Sequence, residues 1–273
     1  MEGVGGERRC VAVIRPYDGM AVAWDSSVAP VYQPLASSLV EASPVPLGGK
    51  LVLDLGSGTG PVAQALAARD ARVMVADSSL GMVVHGYKRG WTAIAADALA
   101  LPVRERCFDA VTAGFLLNHL PPTSALAEMA RIVRAGGAVI ASTWASVRSD
   151  PVKAAIADVL RSWGWRPPAW YASMKAAVEP ISGDPQRLTD AAEEIGLVHV
   201  HASVVEAELD DLDPPAVVAY RLALPQIAPW VAGLGEPATS QLVRQACSAV
   251  FPHAPGWRPS LIHLTARVPA HRR

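Results

Sequence analysis

Leu51-Val52-Leu53-Asp54-Leu55-Gly56-Ser57-Gly58-Thr59-Gly60 constrains this chain more than any other stretch. An apolar run carrying one acid ends in glycines at every second position, then passes into Pro61-Val62-Ala63-Gln64-Ala65-Leu66-Ala67-Ala68. The pattern predicts a buried strand, a tight turn and a helix. Glycine tolerates backbone angles and a close ligand approach that a Cβ would block. Pro61 suits the first turn of a helix, where an N–H is not needed. The remaining free N–H groups, at the positive end of the helix dipole, offer a place to a polar ligand.

A dinucleotide competes for such a turn. Its fingerprint is G-x-G-x-x-G with an acid about 20 residues further on. Asp77, closing Val73-Met74-Val75-Ala76, supplies the acid, but the third glycine would fall at position 61, which is Pro61. Asp54 also sets a carboxylate just before the turn, where it would repel a pyrophosphate and attract an ammonium. Another acid, Asp97, closes Thr92-Ala93-Ile94-Ala95-Ala96. Carboxylates at the tips of successive strands suit a cationic nucleoside better than a nucleotide.

The ordered set of Asp54 to Gly60, Asp77, Asp97 and Phe108-Asp109-Ala110-Val111-Thr112-Ala113-Gly114-Phe115-Leu116-Leu117-Asn118-His119-Leu120 resembles class I S-adenosylmethionine-dependent methyltransferases. Arg134-Ala135-Gly136-Gly137-Ala138-Val139-Ile140 looks like that family's loop and fifth strand. The resemblance covers roughly residues 15–145 and is greatest to the ubiquinone/menaquinone-type branch with its bacterial small-molecule enzymes. It implies S-adenosyl-L-methionine as cofactor. Gly56, Ser57, Gly58 and Gly60 would give backbone room around the methionine part, with Asp54 facing its ammonium. Asp77, with Ser78 beside it, would take the ribose hydroxyls. Asp97 and Ala98 would meet the adenine amino group, Met82 a ring face, and the carbonyls of Ala113 and Gly114 the ammonium. An N-terminal segment of this kind folds over the cofactor in the family, which makes Tyr17 a candidate contact; packing is the other reading for Tyr17, Trp24 and Tyr32. His119 is the candidate catalytic base, since imidazole titrates near 6.5 and general-base help is worth about 10²–10⁴-fold. It could equally brace the cofactor loop.

Short apolar runs alternating with helical segments imply a parallel sheet covered on both faces. Strands are expected near 51–55, 72–76, 92–95, 108–113 and 137–143, with helices near 60–69, 79–89 and 122–134. Right-handed crossovers put the first and fourth strands side by side, with a crevice beyond their carboxyl ends. The expected fold class is α/β, a Rossmann-like seven-stranded mostly parallel sheet with helices on both faces and a helical lid. Residues 1–49 would cover the cofactor, with Cys10–Ile14 as a candidate extra strand and a helix near 31–40. Residues 50–145 form the core, 146–183 a lid insertion, and 184–273 the last two strands, with a helical insertion at 210–258. The final strand, near 260–268, is expected to be antiparallel.

A formal net charge of −1 leaves no electrostatic footprint for nucleic acid. Cys10, Cys107 and Cys247 form no C-x-x-C pair, so neither a disulfide framework nor a zinc site is implied. His199 and His201 share a strand face without a third ligand, and no metal is expected. No apolar run approaches the roughly 18 residues of a membrane span, so a cytoplasmic enzyme, monomer or homodimer, is expected. The protein's eight tryptophans include Trp163, Trp165 and Trp170 in the proposed lid, consistent with a flat apolar acceptor or simply with packing of a small lid. The expected activity is methyl transfer to a small, apolar or aromatic secondary metabolite. Two alternatives stand beside it: a protein of the same fold that uses the cofactor without methyl transfer, and an NAD(P)-dependent oxidoreductase.

Overall fold

The computed structural model describes residues 16–146, 149–209, 212–254 and 256–270. Residues 10–14 lie outside them, and with them the candidate extra strand. The strands are β1 (Leu51–Leu55), β2 (Arg72–Asp77), β3 (Thr92–Ala95), β4 (Phe108–Gly114), β5 (Val133–Trp144), β6 (Val198–Glu206) and β7 (Ser260–Arg267). They form one sheet in the order β3-β2-β1-β4-β5-β7-β6. The first five pair in parallel, and β7 runs antiparallel to both β5 and β6. This is the expected seven-stranded architecture, with β1 and β4 adjacent at its centre.

Helices follow the polarity of the sequence. On one face, α2 (Ala29–Glu41) and α3 (Pro61–Ala67) bury Leu39 and Leu66 against Val52, Ala110 and Ile140. On the other, α5 (Pro122–Ile132) and α8 (Pro185–Glu194) bury Leu126, Met129 and Leu188 against Leu53, Val111 and Val139. The alternation of Val52 and Leu53 between these two cores is the period-2 pattern of a strand covered on both sides. The short α1 (Ala21–Ser27) precedes α2, and α4 (Leu80–Lys88) links β2 to β3.

A third apolar cluster gathers the helices added to the sheet. It joins Val28, just before α2, and Val31 and Leu35 of α2 to α6 (Pro151–Ser162), α9 (Pro214–Leu222) and α11 (Glu236–Val250), with Trp165 and Trp257 buried among them. Two further helices were not separately expected: α7 (Ala169–Ser182), in the aromatic proline-rich stretch, and α10 (Ala228–Ala232). Three lid and edge helices start with one device. Asp150, Asp184 and Asp213 each accept from the backbone N–H three residues on, at 2.9, 3.0 and 2.8 Å, and each is followed by proline. The carboxylate satisfies an orphan donor while proline fills a position needing none.

β5 is longer than the expected 137–143. Val133 pairs with Phe108 and the next ladder pair is Ala138 with Ala110, so Arg134–Gly137 loop out inside the strand. Asp109 pins this irregularity, accepting from Arg134 Nη1 at 2.6 Å and from the Leu51 N–H at 2.8 Å. The chain turns so tightly that a Cβ on Gly137 would stand 2.5 Å from the Asp109 carbonyl oxygen. Backbone cannot yield there as a side chain would. Gly137→Ala is therefore expected to lower stability by about 1–3 kcal/mol, measured by urea unfolding. An unchanged midpoint and slope would show that the loop is not held against β4.

Candidate cofactor and acceptor site

The site is built at the carboxyl ends of β1 and β4, where the chain's crossovers diverge to opposite sides of the sheet. After Leu55 the N–H groups of Gly56 and Ser57 both donate to the Ala76 carbonyl, at 2.8 and 3.1 Å, and Gly60 N–H returns to Ser57 at 2.9 Å. Gly56, Gly58 and Gly60 take φ of 67°, 55° and 96°, the left-handed region that a side chain makes costly. Gly56 also has Leu116 Cδ1 only 2.8 Å from where a Cβ would stand, whereas above Gly58 the first atom met is Trp24 Nε1, at 3.5 Å. Ser57 is buried in the turn.

Asp54 lies in β1 opposite Val75 on one side and Thr112 on the other, wholly buried. Thr112 Oγ1 donates to its Oδ1 at 3.1 Å, and the Ala63 N–H near the start of α3 also donates to the carboxylate. Oδ2 has no partner among the described residues. Burial raises the Asp54 carboxyl to about 7, against the pull of those two donors. Asp77, at the tip of β2, accepts from Gly58 N–H at 2.9 Å and from Ser79 N–H at 2.8 Å, and Ser78 N–H donates to it as well. Its carboxyl too is raised by burial, with the three N–H donors opposing. Asp77 therefore ties the glycine turn to the turn after β2. Asp97 is exposed and accepts from Leu99 N–H at 2.9 Å, shaping the turn after β3.

Met82 and Ala98 are buried, Met82 fully. Ala113 and Gly114 close β4, where a Cβ on Gly114 would stand 2.9 Å from Val62 Cγ2 of α3. Tyr17 reaches across from the N-terminal segment: its hydroxyl lies 3.1 Å from His119 Nε2, and its carbonyl accepts from Ser79 Oγ at 3.3 Å. Burial raises the Tyr17 phenol well above its usual range and lowers the His119 imidazole to about 4, so His119 is neutral near pH 7. Tyr17 touches both Trp24 and His119, Trp24 stands over Gly58, and Gly58 is tied to Asp77. Asp97 and Ala98 follow the end of β3. His199 and His201 stand far along the sheet at the irregular, exposed end of β6.

Several residues of this region had no assigned role in the sequence reading. Phe115 follows β4 with φ of 60°, rare for a bulky side chain and characteristic of strained functional loops. Its ring packs 4.6 Å from Trp144 and 4.8 Å from Tyr32, and Tyr32 lies 6.0 Å from Tyr220. Together they wall the crevice on its lid side. Trp91 fills the space beside Gly60. The positive φ of Phe115 carries no sequence signal, whereas an aromatic placed directly after a strand-end glycine is at least visible.

Sheet order and the glycine turn are those of the class I S-adenosylmethionine-dependent methyltransferase fold. Residues 53–141 match the family described as "Methyltransferase domain". A demethylmenaquinone methyltransferase of Thermobifida fusca is 36% identical over 126 residues, covering 43% of this chain and 51% of the relative. The chain spans about half the length of the curated relatives it matches. Among solved structures, phosphoethanolamine N-methyltransferase 2 of Haemonchus contortus shares the fold with a TM-score of 0.56 at 14% identity, covering 91% of this chain and 57% of that one. The (4+2)-cyclase SpnF shares it with a TM-score of 0.52 at 18% identity, covering 88% and 81%.

The raised Asp54 carboxyl has a testable sign. Its folded pKa, about 7, exceeds the ordinary carboxylate value near 3.8, so the folded state binds the extra proton and loses stability as pH rises through 7. Asp54→Asn removes that loss while keeping an acceptor for Thr112. From pH 5 to pH 8 the variant should gain about 2–3 kcal/mol relative to the parent protein in denaturant unfolding. An unchanged difference would mean that the carboxyl is ionised in the fold throughout.

Proposed function

We propose that this chain transfers the methyl group of S-adenosylmethionine to a small acceptor with a flat apolar body. The observation that carries the reading is the buried, unpartnered Oδ2 of Asp54 beside a three-glycine turn. A carboxylate held there without a cation is costly, and an amino-acid ammonium at the turn would relieve it. A pyrophosphate would add to the cost, which with Pro61 disfavours the nicotinamide alternative. The cofactor named in the Haemonchus contortus complex is S-adenosylhomocysteine, the demethylated product, and the demethylmenaquinone enzymes named above suggest a quinone-type acceptor.

The bound cofactor would supply an electrophilic methyl on a sulfonium with a good leaving group. The protein's task is then alignment and exclusion of water, and alignment is worth up to roughly 7–11 kcal/mol. Asp54 holds the ammonium, the glycine turn lets the backbone approach, and Asp77 turns its carboxylate to the ribose hydroxyls. Tyr17 and Trp24 cover the cradle from the N-terminal segment. His119 would hold the Tyr17 hydroxyl. An imidazole lowered to about 4 remains neutral and able to accept a proton, but is a weak base at neutral pH. We therefore assign His119 first to the clasp with Tyr17 and only second to proton removal from the acceptor. Because the same fold serves a (4+2)-cyclase, a cofactor-binding protein without methyl transfer is the second reading.

Two variants test these roles. Asp77→Ala should reduce S-adenosylhomocysteine affinity at least about tenfold, on the order of one good charged hydrogen bond, read by calorimetry. Unchanged affinity would remove Asp77 from the cofactor site. Under the clasp, Tyr17→Phe and His119→Ala weaken cofactor binding alike. A turnover loss of about tenfold or more in His119→Ala alone, with binding intact, would instead assign it the proton.

A further inference from the structure

On the side of the added helices two cations, of which one is paired with a carboxylate, stand within an aromatic enclosure. Lys153 of α6 places Nζ 3.6 Å from the ring centroid of Trp144 and 3.5 Å from Asp150 Oδ2. Asp150 is engaged elsewhere as well. It caps α6 by accepting from Lys153 N–H at 2.9 Å, and both its oxygens lie 3.2 Å from Trp257 Nε1. Arg221, in the last turn of α9, lies with its guanidinium 5.9 Å from the ring of Tyr220. Among the described residues no carboxylate is within ion-pair distance of Arg221, and its buried Nε has no acceptor. The two cations are near enough to act on each other. Burial pushes the Lys153 ammonium down to about 8, Asp150 opposes this, and Arg221 and Lys175 push it further.

The enclosure thus holds more positive than negative charge. Partly buried cations without matched anions are destabilising, and a fold built only for stability would pair Arg221 or replace it by an apolar side chain. Trp144 ends β5 and packs on Phe115, which follows β4, so these cations stand at the carboxyl end of the parallel strands, as the glycine turn does. Lys153 remains a quarter exposed and open to a ligand.

We infer that Lys153 and Arg221 bind an anionic oxygen group of the acceptor, a carboxylate or phosphate carried on a flat conjugated ring that lies against Trp144 and Tyr32. This rests on the methyltransferase reading for what then happens to the ring, but not for the binding itself. A guanidinium matches such oxygens in a bidentate fork, and an ammonium adds a point charge. A neutral acceptor would leave the buried Nε of Arg221 without an acceptor.

The test uses the full chain and three probes of equal ring size: naphthoate, naphthyl phosphate and neutral naphthamide. Each is titrated calorimetrically with and without saturating S-adenosylhomocysteine. At least one anion should bind about tenfold or more tighter than the amide, and the stronger of the two identifies the group. Lys153→Met and Arg221→Met should each remove most of that preference while leaving amide binding unchanged, and Lys153→Arg should restore it. A purely structural role would alter all three probes together. Equal binding of anions and amide, binding of none of them, or a preference that survives both methionine variants would overturn the inference. The ratio in the parent protein decides the anion preference even where a methionine variant fails to fold. Failure of S-adenosylhomocysteine to bind would count against the methyltransferase reading alone, since the titrations without it still measure the preference.

Discussion

Asp54 keeps its carboxylate out of water between two central strands, with Thr112 and the start of α3 as its only donors among the described residues. That placement requires much of the surrounding architecture. β1 must be parallel to both β2 and β4 for Thr112 to lie opposite it. The helix must begin immediately after the glycine turn for Ala63 N–H to reach it. Gly56, Gly58 and Gly60 must adopt positive φ to reverse the chain in so few residues. Asp77 then fixes the turn by accepting from Gly58. One carboxylate raised by burial, braced by another that caps the turn, leaves a cradle with an unanswered negative charge.

The elements added to this core enclose the crevice. The N-terminal segment contributes Tyr17 and Trp24 from one direction, and α6, α9 and α11 bring Trp144, Tyr220 and Trp257 into contact from another. Aromatic rings exclude water over a large area with few rotatable bonds, which suits a reaction governed by alignment. The chemical contrast between the walls is pronounced. Carboxylates line the cradle at the strand tips, while Lys153 and Arg221 stand on the lid side. A cofactor and an acceptor of opposite charge would each find its own half.

Much of this was legible in the residues. The run from Leu51 to Pro61 marked strand, turn and helix because local chemistry dictates each, and β1 begins and ends where expected. Asp54 and Asp77 lie at the carboxyl ends of β1 and β2 for the same reason, whereas β3 stops at Ala95 and Asp97 falls in the turn beyond it. What escaped depends on contacts distant in sequence. β5 extends back to Val133 because Asp109 pins the looped-out residues against β4. α7 forms through a segment with one proline just before its start, where no N–H is needed, and Pro180 in its last turn, where one i→i−4 bond is lost. The left-handed backbone of Phe115, the Tyr17–His119 contact and the Lys153–Trp144 stack join residues as far as 102 positions apart, and no periodicity records them. Asp150, Asp184 and Asp213 show the opposite case, an Asp-Pro pair that marks each helix start in the sequence itself.

The most direct test of this account is whether binding an ammonium at the cradle expels a proton from Asp54. Calorimetric titration of S-adenosylmethionine at pH 6.5, in buffers of different ionisation enthalpy, reads proton release as a buffer-dependent heat. The account predicts release of a substantial fraction of a proton in the parent protein, vanishing in Asp54→Asn. Tight binding with no buffer dependence would show that Asp54 does not meet the ammonium. Binding of NAD(P)H in place of S-adenosylmethionine would contradict the account as a whole.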